Sequence, residues 1–273
     1  MEFGLLALGL GSLVGLILAL SGAGGGIIAV PLLVFGLNLS MQAAAPIGLL
    51  AVGLAAALGA ALGFREGILR YRAAALIGTF GVLCAPLGVW LAQHLPNTPL
   101  LIAFALVLAW TGWQGWRKSR AVNVAKTDET CPTGQPCRID PGQGRFAWNL
   151  PCARALAGTG MVSGLLSGLL GVGGGFVIVP ALARYSDLTR RSILATSMGV
   201  ITLVALGGVG SALVQGSLNL SIALPFSGGA LLGLLVGQVI ARRVQGKRLE
   251  QAFALLCLAV ALLLLGRAAG IRF

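Results

Sequence analysis

Two runs of three glycines are the residues of this 273-residue chain whose type and spacing best suit ligand binding. Three glycines cost about 2–3 kcal/mol of helix propensity, so each run predicts a break in a helix. Glycine also lets a ligand approach the backbone without a Cβ in the way. A helix that begins at such a break presents free N–H groups and the positive end of its dipole, which would suit a small anion. The two runs are Gly24, Gly25, Gly26 and Gly173, Gly174, Gly175.

Tight packing between helices is the alternative role for glycine in an apolar sequence. We favour packing for scattered glycines such as Gly53, Gly59 and Gly63. For the two runs we favour a binding site, because unpaired backbone cannot face lipid and must face protein or a water-filled cavity. The segment 27–37 after the first run would be about 16 Å long as a helix, roughly half the thickness of the apolar part of a bilayer.

Hydroxyl groups and one proline near the two runs could complete a pocket. Ser21 and Ser167 approach the two breaks, while Thr196 and Ser197 follow the second run at the position where the first half has Pro46. Each hydroxyl could instead bond to the backbone of its own helix. The candidate substrate-binding residues are Ser21, Gly24, Gly25, Gly26, Pro46, Ser167, Gly173, Gly174, Gly175, Thr196 and Ser197.

No catalytic or metal-binding grouping accompanies these residues in the sequence. The predicted spans hold no carboxylate cluster, no Cys–His pair and no Ser–His–Asp arrangement, so we expect no enzyme activity, no metal and no cofactor. His94, the single histidine, lies at a predicted helix end. The five residues between Cys131 and Cys137 match no common zinc spacing. A disulfide is disfavoured if this segment is cytoplasmic.

The distribution of charge indicates that membrane-spanning helices position these residues. Charged residues make up 10% of the chain, against about 25% in soluble domains. A charge at the centre of a bilayer costs several kcal/mol, whereas a soluble domain needs a polar surface. The N-terminus lacks the basic residues of a signal peptide, so we expect no cleaved leader. The uncharged stretches are 3–64, 73–116, 155–183, 192–241 and 251–266.

Turn-forming and charged residues divide the chain into two membrane regions and a linker. In the first region, helices are predicted over about 3–20, 41–63, 73–94 and 98–116, with the short segment 27–37 after the first break. The polar linker contains four prolines and no long apolar run, so we expect it outside the membrane. The predicted regions are 1–116 (first membrane repeat), 117–153 (cytoplasmic linker) and 154–273 (second membrane repeat).

The two membrane regions are similar to each other at an offset of 149 residues. Aligning Leu16–Pro31 with Leu165–Pro180 gives eight identities in sixteen positions, including the glycine runs and the prolines. Gly67 and Gly216 keep the same spacing farther along the chain. A matched glycine run followed by proline at the same distance indicates gene duplication.

Loop charges predict that the two repeats have opposite orientations. The turn containing Arg65 and Arg72 is basic, whereas its counterpart 215–220 is uncharged. At the other two matched turns the first half is uncharged and the second half is basic. Basic loops face the cytoplasm, so the net charge of +12 reflects membrane topology and not nucleic-acid binding. The predicted fold is an all-α polytopic membrane protein of two inverted repeats. Each repeat has a hairpin with a glycine-broken helix plus three spanning helices, giving about 8–10 membrane segments.

The pattern G-x-G-G-G-x4-P, at Gly22–Pro31 and Gly171–Pro180, resembles the TauE/SafE sulfite exporter family. Residues 165–175 are the strongest match, and 195–197 and 140–148 also fit family patterns. The resemblance extends over nearly the whole chain and implies transport of sulfite, sulfonates or related small anions across the cytoplasmic membrane. The first half has Ala44-Ala45-Pro46 in place of the Thr-Ser pair, which argues against two equivalent half-sites.

The predicted function is therefore multi-pass transport of a small anion across the inner, cytoplasmic membrane. The expected partners are the anionic substrate and the lipid bilayer, and the sequence leaves the oligomeric state open. An anion channel or a carboxylate transporter is the alternative, since the sequence does not distinguish a pore from alternating access. A structural membrane subunit would not require matched broken helices. The lack of Asp and Glu in the spans argues against a proton relay through buried carboxylates.

Overall fold

The structure is a computed structural model that describes residues 2–21, 25–121, 137, 150–241 and 247–268. Within these ranges the chain forms ten helices, five before the linker and five after it. The helices are α1 (Glu2–Ser21), α2 (Gly25–Gly36), α3 (Met41–Arg65), α4 (Tyr71–His94), α5 (Asn97–Ala121), α6 (Leu150–Leu170), α7 (Gly175–Tyr185), α8 (Arg190–Val214), α9 (Leu220–Ala241) and α10 (Lys247–Ala268).

Seven of these helices are long and apolar enough to cross a membrane. Helices α2 and α7, with 12 and 11 residues, are too short to do so. Large apolar side chains point outward from the bundle, and Leu83, Leu224 and Leu262 are each at least 65% exposed. Such exposure is expected where the solvent is lipid and not water. The prediction of an all-α, polytopic membrane protein is confirmed.

The helix boundaries repeat with the spacing found in the sequence. Helices α3 and α8 each contain 25 residues and begin 149 positions apart. Their N-caps are equivalent as well, because the side chains of Ser40 and Thr189 each accept a hydrogen bond from a backbone N–H of the first turn. The turns that follow these helices contain Gly67 and Gly216, whose φ values are 69° and 67°.

The two halves interlock through close contacts between helix backbones. Helix α1 packs along α9, and its repeat counterpart α6 packs along α4. A Cβ on Gly11 or Gly15 would overlap the backbone of α9, and one on Gly160 or Gly164 would overlap the backbone of α4. Glycine at these positions lets each pair of helices approach closely, as small residues do in membrane bundles.

Helices α3 and α8 cross at the centre of the bundle in opposite directions. Gly53 packs against Ala205 near the middle of both helices. Farther along α3, Gly63 packs against Ala195, which lies nearer to the start of α8. Residue numbers therefore rise along one helix as they fall along the other. Both contacts are packing contacts, the role that we expected for these scattered glycines.

The bundle has one strongly basic end. The turns 66–70 and 186–189 lie there together with the start of α6, because hydrogen bonds join the turn 66–70 to the start of α8, and α6 runs beside α4. We call this the basic end; its arginines include Arg65, Arg70, Arg72, Arg154, Arg184, Arg190 and Arg191. The opposite end holds the turns 37–40, 95–96 and 215–219, and the first two are joined by a hydrogen bond from Met41 N–H to Asn97 Oδ1 (2.9 Å).

A disulfide links Cys137 of the linker to Cys152 of α6. The backbone N–H of Cys137 also donates a hydrogen bond to the carbonyl of Tyr185 at the end of α7 (3.1 Å). The expectation that a disulfide is disfavoured applies if the linker is cytoplasmic, and it stays a prediction for the protein in the cell. That expectation was based on the compartment of the linker, whereas pairing depends on which cysteines the fold brings together. Cys131 lies outside the described residues.

Candidate functional site

The break between α6 and α7 depends on a backbone conformation that glycine favours. Gly171, Gly173 and Gly174 have φ values of 71°, 75° and 66°. A residue with a Cβ is strained in this left-handed region. Residues 171–175 are all buried, so the break faces protein and not lipid. Helix α7 starts at Gly175 without a side-chain hydrogen bond to its first turn, which leaves backbone donors for another partner.

The break between α1 and α2 lies against the second break. Gly22, Ala23 and Gly24 are outside the described residues, so the predicted role of Gly24 is not addressed. Gly25 and Gly26 begin α2 and are buried. A Cβ on Gly26 would overlap the carbonyl oxygen of Val172. The two breaks, which are 149 residues apart in sequence, are therefore in contact.

Both breaks lie near the midpoint of the central helices. Cβ atoms built on Gly26 and Gly173 would each be 3.4 Å from Cγ1 of Val52. Val52 is the twelfth residue of the 25-residue α3, about 17 Å along its axis. Gly173 also packs against Ile201, the equivalent residue of α8. The structure thus brings the two glycine runs together between the halves, at the depth where α3 and α8 cross.

Ser167 is a buried polar residue whose hydroxyl has no partner. Its side chain is 0% exposed, and its Oγ makes no hydrogen bond. It lies in the last turn of α6, where its backbone carbonyl accepts a hydrogen bond from Gly171 N–H (2.8 Å). One turn earlier, Ser163 Oγ approaches Gly174 O at 3.5 Å, so this face of α6 points towards the break. A buried hydroxyl without a partner costs about 1–3 kcal/mol and calls for a ligand or water.

Thr196 and Ser197 are buried, and their hydroxyls form hydrogen bonds with residues outside the glycine runs. Thr196 Oγ1 accepts a hydrogen bond from the backbone N–H of Arg70 in the turn after α3 (3.2 Å). Ser197 Oγ donates to Leu194 O of its own helix (2.9 Å). Ser197 lies one turn before Ile201, about 6 Å towards the basic end. The structure therefore assigns these hydroxyls to helix and turn contacts next to the breaks.

Ser21 ends α1 just before the first break, and Pro46 lies in α3 near the second break. Ser21 Oγ donates to Ile17 O of its own helix (2.7 Å), the local bond that was the alternative for each hydroxyl. Pro46 is buried in α3 beside Ala45, whose backbone would overlap a Cβ on Gly171. Pro46 thus follows Ala45, which contacts the second break, and Pro46 also lines a small cavity.

This cavity opens at the opposite end and was not found from the sequence. It lies between the start of α3, the ends of α4 and α6, and the turn after α8. Its free volume is about 10 Å³, which is room for one water-sized molecule. The residues that line it include Gln42, Ala45, Gln93, Gly168 and Ser217.

The site has no charged or metal-binding chemistry in the part of the chain that the structure describes. None of the described residues of the two breaks is ionisable. No group of three His, Cys, Asp or Glu side chains in this part is close enough to hold a metal ion. The chemical groups on offer are backbone N–H donors, one free hydroxyl and the dipole of α7.

Comparisons with known proteins agree with this membrane architecture. Two relatives from Xylella fastidiosa, strains Temecula1 and 9a5c, are each named "Probable membrane transporter protein" and are 28% identical to this chain. Each alignment covers 96% of this chain and 95% of the relative. A membrane transporter of the same description from Methanocaldococcus jannaschii is 35% identical over 94 residues, 30% of this chain and 35% of that protein. No solved structure matches the chain significantly.

The family comparison covers both repeats and the linker between them. The model of the family described as "Sulfite exporter TauE/SafE" matches residues 7–264. This range includes both glycine breaks and nearly all of the ten helices. The relatives are named as probable membrane transporters, and the family is one of membrane transporters and not of enzymes. The chain therefore belongs to the TauE/SafE sulfite exporter family.

Proposed function

We propose that the chain transports a small oxyanion, namely sulfite, a sulfonate or a related sulfur-containing anion, and binds it at the paired helix breaks. Ser167 is the observation that carries this proposal. Its hydroxyl is fully buried, has no partner and lies one turn before the break at which α7 begins. A bound oxyanion would accept a hydrogen bond from Ser167 and from the first N–H groups of α7.

The composition of this pocket suits a transporter that must also release its substrate. Backbone donors and a hydroxyl stabilise an anion without a fixed cation, so binding remains reversible. The break is buried between the halves, so a bound anion would exchange its water shell for protein donors. The glycines at 173 and 174 support close approach, because no Cβ stands between their backbone donors and a ligand.

The arrangement of the halves supports an inverted repeat. Helices α3 and α8 occupy equivalent positions in the two repeats, yet they run in opposite directions where they cross. Equivalent helices of opposite direction are what a two-fold axis in the membrane plane would generate. Transporters with this symmetry place the substrate between the repeats near mid-membrane, where the two breaks of this chain meet.

A difference between the two ends favours alternating access over a channel. At the basic end, two residues of α8 hold the turn after α3: Ser192 Oγ donates to Ile68 O (2.7 Å), and Thr196 accepts from Arg70 N–H. The equivalent residues of α3 are Ala43 and Ile47, which have no hydroxyl. Among the described residues, α3 therefore makes no such hydrogen bond to the turn after α8, and the cavity lies at that end. We interpret the structure as closed at the basic end and partly open at the other.

Charge predicts the direction of insertion. The arginines of the described turns concentrate at the basic end, which would therefore face the cytoplasm. The linker joins the helices at this end, so we propose a cytoplasmic linker, external termini and a location in the cytoplasmic membrane. The opposite end, with its small cavity, would then face the outside.

Flux measurements in proteoliposomes test the proposed function. Sulfite, sulfate, methanesulfonate, acetate and chloride would be offered to the purified protein as a panel. We expect saturable flux of at least one sulfur oxyanion or sulfonate, with weaker flux of acetate and chloride. Saturable flux of acetate alone would identify a carboxylate transporter instead, and non-saturating flux of every anion would indicate a channel. Either result would contradict the proposal.

A further inference from the structure

Three neutral polar side chains line the cavity at the opposite end. Gln42 is at the start of α3, Gln93 is near the end of α4, and Ser217 lies in the turn after α8. Three different elements thus place hydrogen-bonding groups around a space that holds about one water-sized molecule. The described residues that line the cavity include no charged side chain.

The cavity reaches the second helix break. Ala45 lines it, and the backbone of Ala45 is also the group that a Cβ on Gly171 would overlap. Gly168, another lining residue, directly follows Ser167, whose buried hydroxyl has no partner. A solute in the cavity would therefore be separated from the proposed anion site by about one layer of residues.

Gln93 is the lining residue whose donors are unused. Gln42 Nε2 donates to Leu95 O (2.8 Å), and Ser217 Oγ donates to Ala212 O (3.1 Å). The Gln93 side chain is exposed and forms no hydrogen bond with the described residues. Its amide offers two N–H donors to an incoming solute.

In the sequence, the second repeat has arginines at the positions that correspond to the two glutamines of this cavity. At the offset of 149 residues, Arg191 corresponds to Gln42, and Arg242 corresponds to Gln93. The second repeat therefore has arginines in its sequence at the two positions where the first repeat has neutral amides, and of these Arg242 lies outside the described residues. A neutral amide can bind an anion by hydrogen bonds but holds it less strongly than arginine does.

We propose that this cavity is an outer subsite at which a small oxyanion binds before it reaches the helix breaks, and that Gln93 determines its affinity there. This inference rests on the proposed anion transport. The cavity has room for about one water-sized group, so one oxygen of the anion would enter it while the rest of the anion lies at its opening beside the exposed Gln93. Gln42 and Ser217 keep the turns around the subsite in position.

Sulfite uptake by proteoliposomes that contain the full chain tests this subsite. Gln93→Glu keeps the size of the side chain but puts a negative charge where the anion binds. We expect its KM for sulfite to rise at least fivefold with little change in kcat. Repulsion between two unit charges about 4 Å apart weakens binding by about this factor even in water. Gln93→Leu removes the donors without adding charge, so its KM should rise by a smaller factor.

Gln215→Glu is the matched control. Gln215 is an exposed glutamine of the same end, bonded to Ser211 Oγ (3.0 Å), and it does not line the cavity. Its KM should equal that of the wild type. Equal KM values for Gln93→Glu and the wild type, or equal increases in the two Glu variants, would overturn the subsite but leave transport in place. A wild-type protein that carries no anion of the panel would contradict the proposed function, and this inference with it.

Discussion

Gly26 and Val172 lie in direct contact, although they belong to different halves of the chain. A methyl group on Gly26 would overlap the carbonyl oxygen of Val172, so only glycine allows the two helix breaks to meet here. The contact is at the level of Val52, the twelfth of 25 residues in α3. The two repeats thus bring their irregular backbone together at one buried place near the middle of the central helices. Irregular backbone at this depth is tolerated only inside protein or beside water.

Replacing Gly174 by alanine should damage the break directly. Gly174 has a φ of 66°, and its Cβ would overlap Ser163. The left-handed conformation alone costs alanine about 1–2 kcal/mol, and the overlap displaces α7. We expect Gly174→Ala to unfold at a lower temperature in detergent and to lose sulfite flux. Gly210→Ala is the control, since a Cβ there meets no atom within 4 Å and α8 is helical at this position; it should retain flux. Normal flux in Gly174→Ala would show that the shape of the break is not needed.

Thr196 should act in closing the basic end. Thr196→Val keeps the shape of the side chain but cannot accept the hydrogen bond from Arg70 N–H. Losing one such bond, about 0.5–1.5 kcal/mol, should raise the population open at the basic end by about twofold to tenfold. The rate at which an Ala195→Cys reporter reacts with a thiol reagent measures this population.

Thr202→Val provides the comparison on the same helix. The Thr202 hydroxyl donates only to Met198 O within α8 (2.9 Å), so its removal should leave the reporter rate unchanged. If both valine variants speed labelling equally, the hydroxyls of α8 affect the helix in general, and the proposed closure at Arg70 is wrong.

The basic end should face the cytoplasm. An impermeant thiol reagent should label a Gln215→Cys variant in intact cells, and an Arg72→Cys variant only after permeabilisation. Because the cytoplasm keeps thiols reduced, we also expect Cys137 and Cys152 to be thiols in growing cells and to pair after extraction in air. Labelling of Arg72→Cys in intact cells, with Gln215→Cys protected, would reverse the proposed orientation.

The sequence was sufficient to predict the helices and their repetition. Apolar stretches between charged turns correspond to the spanning helices, because a bilayer excludes charge from their centres. The offset of 149 residues, seen first in the glycine runs, recurs at the starts of α3 and α8 and at the turn glycines Gly67 and Gly216. These features depend on local sequence and on length, which a single chain displays.

The site was less predictable, because its chemistry depends on which groups meet across the bundle. Thr196 was expected beside the glycine runs, but its hydroxyl contacts the turn at Arg70, 126 positions away. Ser167 was one of several candidate hydroxyls. Nothing in the amino-acid sequence indicates that, of these candidates, Ser167 would be the one without a hydrogen-bond partner. The cavity at Gln93 joins four elements that are distant along the chain. Such contacts follow from helix rotation and crossing, which hydropathy and repeat spacing do not specify.

Anion binding by Ser167→Ala is the most direct test of the site at the helix breaks. Ser167 and Ser227 are the two buried hydroxyls in the described residues that have no partner, and Ser227 is in α9. Alanine at either position removes an unsatisfied polar atom, so both variants should be at least as stable as the wild type. Isothermal titration with sulfite in detergent would compare their affinities. We predict that Ser167→Ala binds about threefold to tenfold more weakly, the effect of one lost hydrogen bond, while Ser227→Ala binds as the wild type does. Unchanged affinity in Ser167→Ala would contradict an anion site at the paired breaks.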